Sequence, residues 1–143
     1  MKQTEIATLI RTCDFKGLIM ACRDSKETLM DVLKVIDRIG VLEENILGYY
    51  ACLSLLQLEL TNEEQAGIHH MAAFVLANGI NTTEGAYRLG LYHAQMCVEL
   101  APENMVYKQV ILRVFAEIPE LKDMRTELLR KYGEEDRMGS KKR

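Results

Sequence analysis

The spacing of apolar residues is the feature that most constrains the fold of this chain. Apolar side chains recur at intervals of three and four residues along almost the whole 143-residue sequence, which is the period of an amphipathic helix. Alternating β-branched residues, the pattern typical of strands, are scarce, and only Pro102 and Pro119 interrupt the chain. The sequence therefore predicts an all-α protein.

Start and stop signals divide the first half of this pattern into helices. Two short helices are expected at about 3–12 and 15–23. A third, at 25–39, has Asp24 as its N-terminal cap and Gly40 as its end. The following segment, 42–60, is apolar around much of its circumference, so it is expected to be a buried helix.

The second half carries stronger signals. Thr61-Asn62-Glu63-Glu64 predicts a capping box that opens a helix over 62–78, and Asn78-Gly79 predicts a left-handed stop. Asn81-Thr82-Thr83-Glu84 is a further start signal for a helix that reaches Leu100. A helix of about fourteen residues is expected between the two prolines, followed by one at about 120–132. We expect one domain over 1–132 and a disordered charged tail over 133–143.

Composition narrows the function classes. The net charge is −3, the pI is near 5.7, and the 18 basic residues are interleaved with acids, so nucleic-acid binding is not expected. No apolar run is long enough to span a membrane, and a cytoplasmic protein is expected. Cys13, Cys22, Cys52 and Cys97 lack metal-ligand spacing and are expected to be buried free thiols.

Small residues form a stripe along the segment 84–100 and the residue that follows it. They are spaced by four, four, three and four, which places them on one helix face: Ala86, Gly90, Ala94, Cys97 and Ala101. Larger apolar residues occupy the other faces, so this helix is predicted to be wedged between neighbours, as in a stack of helical hairpins.

The end of this helix resembles a known family. Val98-Glu99-Leu100-Ala101-Pro102-Glu103-Asn104, followed by another amphipathic helix, is similar to the second helix and exit turn of a tetratricopeptide repeat (TPR). The resemblance covers about 62–118 and implies stacked antiparallel helical hairpins. It assigns Gly90, Ala94 and Cys97 to small packing positions and Pro102 to the closing proline. Phe74 and Phe115 take the places of large aromatics in the flanking first helices.

The sequence also departs from the TPR pattern. The connection from Asn78 to Thr83 is longer than the turn inside a TPR hairpin, and no second proline signature occurs thirty-four residues away. A degenerate TPR-like α-solenoid and a compact helical bundle therefore both remain open.

Known catalytic and cofactor motifs are not found in the sequence. His69, His70 and His93 have no partners at metal-binding spacing, and glycine-rich phosphate loops and nucleophile elbows are lacking. Neither a cofactor nor a metal is expected. A dyad assembled across helices from Cys97 and His70 is the catalytic arrangement that the sequence leaves open. The chain is predicted not to be an enzyme.

The first helices of a hairpin stack form its inner surface, and a partner would bind there. On the helix after Pro102, a polar line separate from the core stripe marks this surface, joined by neighbouring residues and by histidines of the preceding hairpin. The predicted partner-binding residues are Tyr107, Lys108, Gln109, Arg113, Glu117, His69 and His70.

The first functional hypothesis is a cytoplasmic module that binds a protein or peptide, such as an adaptor, a secretion chaperone or a toxin-neutralising immunity protein. Its partner is expected to be encoded by a neighbouring gene. The alternative is a helical sensor of a small molecule or peptide, with a pocket lined by Tyr87, Tyr107 and a histidine. An unrecognised enzyme is the third hypothesis, and self-association through exposed methionines and leucines is left open.

Overall fold

The computed structural model describes residues 1–133, and every regular element in that range is helical. The all-α prediction is therefore confirmed. In chain order, the α-helices are α1 (Gln3–Arg11), α2 (Phe15–Asp24), α3 (Lys26–Ile36), α4 (Leu47–Leu55), α5 (Asn62–Asn78), α6 (Ala86–Leu100), α7 (Met105–Arg113) and α8 (Arg125–Leu128). Between residues 1 and 133, none of these helices combines the length and the apolarity needed to cross a lipid bilayer.

Two hydrophobic clusters hold the helices together. The larger one joins α1 to α5 around fully buried residues such as Ile6, Ile36 and Ile68. The smaller one joins α5, α6 and α7 to the C-terminal turns around Leu91, Phe115 and related residues. Helices α5 and α6 pack along most of their length, so this hairpin connects the two clusters.

The small-residue stripe of α6 lies in the interior, as predicted. Ala86, Ala94, Cys97 and Ala101 are buried. A Cβ atom built on Gly90 would lie 3.1 Å from Cε1 of Phe115 and 3.4 Å from the Cβ atom of Leu76. Helix α6 is therefore wedged between α5 and the segment that follows α7, because only small side chains permit this approach.

The predicted capping box at the start of α5 is confirmed. The Glu64 backbone N–H donates to Oγ1 of Thr61 at 3.1 Å, and the Thr61 backbone N–H donates to Oε1 of Glu64 at 3.0 Å. These reciprocal bonds satisfy backbone donors that the first turn leaves free. They also lower the pKa of Glu64. Helix α5 then covers the predicted range 62–78.

The roles predicted for Asp24 and Gly40 at helix ends are wrong, whereas Gly79 follows the last residue of α5 as predicted but not in the predicted left-handed conformation. The N-cap of α3 is Ser25, and its side chain forms no capping hydrogen bond. Gly40 lies inside a π turn, Asp37–Leu42, that continues α3, and Gly79 has φ −103°, outside the left-handed region.

Gly40 and Gly79 also serve close backbone packing. A Cβ atom on Gly79 would lie 2.0 Å from the carbonyl oxygen of Gly40, and one on Gly48 would lie 2.6 Å from the Cα atom of Gly40. The π turn, α4 and the end of α5 therefore meet at a point where no side chain fits.

Several predicted helices are shorter in the structure. Helix α4 occupies only Leu47–Leu55 of the predicted 42–60, because the chain turns before it, with Glu44 at φ +52°. Helix α6 begins at Ala86, after Gly85 at φ +81°, rather than at Glu84. Helix α7 ends at Arg113, and two 3₁₀ turns, Phe115–Glu117 and Pro119–Leu121, follow.

The predicted last helix, 120–132, is likewise replaced in part by turns. Its α-helical portion is α8, which continues as a π turn, Leu129–Gly133. Of the predicted tail, only residue 133 falls within the described residues, and 134–143 lie outside them.

Candidate functional site

The structure separates the predicted partner-binding residues into different settings. His70 and Tyr107 come together, with ring centroids 5.5 Å apart. Lys108 and Gln109 are partly buried on α7, and Arg113 is exposed at its end. His69 is only 7% exposed and belongs to the interior, so it is not part of the surface that His70 and Tyr107 share.

The polar line predicted on α7 is interrupted. Because the α-helix ends at Arg113, Glu117 belongs to a 3₁₀ turn and no longer follows Gln109 and Arg113 at helical spacing. Glu117 accepts a hydrogen bond from Nη2 of Arg125 at 3.1 Å. The predicted line of three polar residues on one helix is therefore wrong at its last position.

An apolar groove lies next to His70, between α5 and α7. We call it the α5–α7 groove; it has a volume of about 340 Å³, and α6 packs against both of its walls. Its lining consists of His70, Ala73, Phe74, Ala77, Asn78, Val106, Val110, Val114 and Phe115. Three large apolar side chains are exposed there, Phe74 by 42%, Val106 by 60% and Val114 by 44%. Phe115 is buried and Phe74 is exposed, so the two aromatics that the TPR resemblance singled out differ in their surroundings.

A buried hydrogen-bonded network connects the three helices α4, α5 and α6. The hydroxyl of Tyr49 on α4 lies 2.9 Å from Nε2 of His93 on α6. Nδ1 of His93 lies 2.8 Å from Nδ1 of His69 on α5. The half-exposed ring of Tyr92 stacks on the His93 ring, with ring centroids 5.1 Å apart.

The hydrogen bonds restrict where Tyr49, His93 and His69 can carry protons. Two nitrogens at 2.8 Å need one hydrogen between them, so one Nδ1 donates and the other accepts. If His93 donates to His69, its Nε2 accepts from the Tyr49 hydroxyl; if it accepts, its Nε2 donates to Tyr49. Both neutral arrangements form the two hydrogen bonds that link the three side chains, and they differ only in the positions of the protons.

Burial keeps these histidines neutral. Desolvation, with a smaller contribution from nearby His69, lowers the pKa of His93 from 6.5 to about 4. Desolvation also lowers the pKa of His69 and that of His70. The same cause raises the pKa of the Tyr49 hydroxyl. At neutral pH these hydrogen-bonded side chains therefore form an uncharged polar network inside an apolar core.

The sequence singled out the histidines but not this network. Tyr49 was only one apolar member of a predicted helix, and His93 had no partner at helical spacing. One feature of the sequence could have indicated it. His93 lies next to Ala94 of the small-residue stripe, and this stripe faces α5, the helix that carries His69.

The Cys97–His70 dyad and the pocket lined by Tyr87, Tyr107 and a histidine, which the sequence left open, are not formed. The thiol of Cys97 lies 3.2 Å from the carbonyl oxygen of Ala66, to which it donates, and burial raises its pKa to about 12. Its partner is thus a backbone carbonyl rather than His70. The Tyr87 hydroxyl accepts a hydrogen bond from Asn81 at 2.9 Å, and Tyr87 lines a cavity whose lining includes neither Tyr107 nor a histidine.

No family model, curated protein or solved structure matches this chain. The TPR-like character therefore stays a prediction based on the residues from about 62 to 118. In the described part of the chain, no group of three or more His, Cys, Asp or Glu side chains is placed to hold a metal ion.

Proposed function

We propose that this protein is a non-enzymatic interaction module that binds an amphipathic helix of a partner protein in the α5–α7 groove. The observation that carries the proposal is the exposure of Phe74, Val106 and Val114 around one concave surface. Single exposed apolar residues are common, whereas three large ones around one groove are typical of a surface that another molecule covers.

The lining of the groove defines its occupant. No charged side chain is among the residues that line it, and the pKa of His70 is lowered, which favours the neutral ring. The contact stripe of the partner should therefore be apolar and uncharged. Along α5 the groove extends from His70 to Asn78, about 12 Å at 1.5 Å per residue, which accommodates roughly two turns of a docked helix.

His70 lines one end of the groove, and the ring of Tyr107 contacts His70 there. The two rings are tilted by 49° to each other and both are only partly buried, so they offer aromatic surface and hydrogen-bonding atoms. Aromatic residues of this kind anchor partners at many interfaces. We assign them the role of fixing the direction in which the partner helix lies.

The biological setting that fits this activity is an adaptor, a chaperone or an immunity protein in the cytoplasm. In each case a small helical domain covers part of another protein, and the partner is often the product of an adjacent gene. The four cysteines are all free thiols, which agrees with a reducing compartment. A TPR-like stack of hairpins would place α5 and α7 on its inner surface, where members of that family bind peptides.

The proposal is tested by a peptide-display selection against the full-length protein. The enriched peptides should include a class that carries apolar residues at positions i, i+3 or i+4, and i+7, with no charge on that face. Affinity for such a peptide should fall about tenfold or more in Val106→Asp, because a carboxylate would be buried against an apolar surface. Raising the salt concentration should leave the affinity unchanged, since no charge lines the groove.

Leu42→Asp is the matched control. Leu42 is another exposed apolar residue, on the π turn that follows α3, and it lies outside the groove. Leu42→Asp should leave the affinity for the selected peptide unchanged. Equal weakening by both substitutions, or a selection that enriches no peptide with an apolar stripe, would refute this assignment of the groove.

A further inference from the structure

A second groove, distinct from the α5–α7 groove, lies between α2 and α4. It has a volume of about 630 Å³ and is lined by Phe15, Lys16, Ile19, Met20, Arg23, Tyr50, Leu53, Ser54 and Gln57. Phe15, Ile19 and Leu53 are partly buried and form an apolar floor. Met20 and Tyr50 are large apolar side chains that stay exposed at the rim. Like the first groove, it presents apolar surface that nothing within residues 1–133 covers.

Its charges differ from those of the α5–α7 groove. Lys16 and Arg23 both line it, and no carboxylate does. The two cations are seven residues apart on α2, which places them on the same side of the helix about 10 Å apart along its axis. Neither forms an ion pair with any other residue in the described range 1–133.

The acidic residues nearby mark the limits of this positive surface. Asp14 is engaged at the N-terminus of α2, where its side chain accepts a hydrogen bond from the backbone N–H of Gly17 at 2.9 Å. Beyond Arg23 and Gln57, the adjoining cavity is lined by Glu59 and Glu64 as well as by Lys26. The uniformly cationic stretch therefore extends from Lys16 to Arg23 and ends there.

We infer that the α2–α4 groove binds an acidic amphipathic helix of a partner protein. Two carboxylates seven residues apart on that helix would face Lys16 and Arg23, because the spacing on the two helices is then the same. Apolar side chains between the carboxylates, at i+3 and i+4, would cover Ile19 and Leu53. Met20, a flexible and polarisable side chain at the rim, can adapt to the shape of the residue that enters.

The shape of the site favours a protein helix over a lipid surface. The apolar residues form the floor of a concavity between two helices, whereas a membrane-binding helix presents its apolar residues on a convex face. Charge complementarity then selects an acidic helix over a basic one. This inference does not depend on the α5–α7 groove, since the two grooves have no lining residue in common.

The test uses the full-length protein and two synthetic helical peptides. One carries Glu at positions i and i+7 with Leu at i+3 and i+4, and the other has Lys in place of both Glu residues. The protein should bind the Glu peptide about tenfold more tightly than the Lys peptide, and added salt should weaken this binding. In Lys16→Glu/Arg23→Glu the preference should reverse, so that the Lys peptide binds more tightly.

The reversal keeps the test independent of folding, because an unfolded variant would bind neither peptide selectively. Lys34→Glu, at an exposed position on α3 outside the groove, is the control for a charge reversal elsewhere on the surface and should retain the preference for the Glu peptide. Val106→Asp should also retain it, which separates this site from the α5–α7 groove. Equal affinity for both peptides would overturn the inference. Co-sedimentation with phosphatidylserine vesicles that is lost in Lys16→Glu/Arg23→Glu, without binding of the Glu peptide, would overturn it as well.

Discussion

The Nδ1 atoms of His69 and His93 lie 2.8 Å apart in the interior of the protein. Because only one hydrogen fits between them, the two rings cannot both be imidazolium ions in this geometry. The Tyr49 hydroxyl, 2.9 Å from the other nitrogen of His93, can donate or accept and so adapts to either neutral arrangement. The network therefore joins α4, α5 and α6 in a way that depends on its protonation state.

The folded protein should lose stability as the pH falls below that at which a free histidine titrates. The pKa of His93 is lowered from 6.5 to about 4 in the folded state. Between these values the unfolded protein binds a proton that the folded protein does not. The contribution of neutral His93 to the free energy of unfolding is therefore complete above about pH 6.5 and disappears towards about pH 4. This contribution amounts to about 3 kcal/mol at about 1.4 kcal/mol per pKa unit. Urea unfolding across this range measures it.

His93→Gln separates this residue from other acid-sensitive groups. Glutamine keeps a polar side chain but cannot titrate, so stability should decrease less steeply between about pH 6.5 and about pH 4. Part of the pH dependence of stability should persist, because the pKa values of His69 and His70 are lowered as well. An identical slope in the wild type and in His93→Gln would show that His93 does not contribute.

The sequence predicted the parts of the fold that depend on local patterns. The α-helical period, the Thr61 capping box and the burial of the stripe that contains Gly90 and Ala94 all follow from residues within a few turns of one another. The polar network could not be predicted in this way. His93 is separated from His69 by 24 residues and from Tyr49 by 44, and no local spacing shows that their side chains meet.

Helix boundaries were predicted less well, because different structures share the same local signal. Gly40 follows an amphipathic segment, as a helix-ending glycine does, yet it lies inside a π turn where backbones touch. Gln109, Arg113 and Glu117 have helical spacing, but the chain leaves the α-helix between the last two. Tertiary packing decides these cases, and it involves residues far apart in the chain.

Only one of the four cysteines should react readily in the native protein. Cys13 is exposed, whereas Cys22, Cys52 and Cys97 are buried. Burial raises the pKa of Cys22 to about 11 and those of Cys52 and Cys97 to about 12. Since the thiolate is the reactive form, titration with a thiol reagent should give a single fast phase.

Cys13→Ser should remove that phase and leave the slow reactions unchanged. All four thiols of the wild type should react once the protein is unfolded in guanidinium chloride. Fast modification of a second cysteine in the native protein would mean that the corresponding part of the core opens on the timescale of the measurement.

Thr61→Ala should destabilise the protein by about 1 kcal/mol, because it removes the side-chain oxygen that accepts the Glu64 backbone N–H. Thr61→Ser should restore most of this loss, since serine keeps an equivalent oxygen. Thr82→Ala is the matched control: the predicted start signal there is not used, and α6 begins at Ala86 without a side-chain cap. Denaturant unfolding compares the three variants, and an equal loss in Thr82→Ala would contradict the capping assignment.

Gly79→Ala should be among the most destabilising small substitutions in this protein. The added Cβ atom would lie 2.0 Å from the carbonyl oxygen and 2.8 Å from the carbonyl carbon of Gly40, both of which are backbone atoms that cannot rotate away. The π turn or the end of α5 would have to move, at a cost of about 3 kcal/mol. Because Gly79 is not left-handed, this loss would come from the contact rather than from backbone strain. Urea or thermal unfolding measures it.

Gly67→Ala, inside helix α5, provides the opposite case. A Cβ atom there meets nothing within 4 Å, so the substitution should increase stability by up to about 1 kcal/mol through helix propensity alone. Gly48→Ala, whose Cβ would lie 2.6 Å from the Cα atom of Gly40, should behave like Gly79→Ala. If Gly79→Ala were as stable as Gly67→Ala, the π turn and the end of α5 would not approach each other closely, and the packing that joins α3, α4 and α5 would need a different explanation.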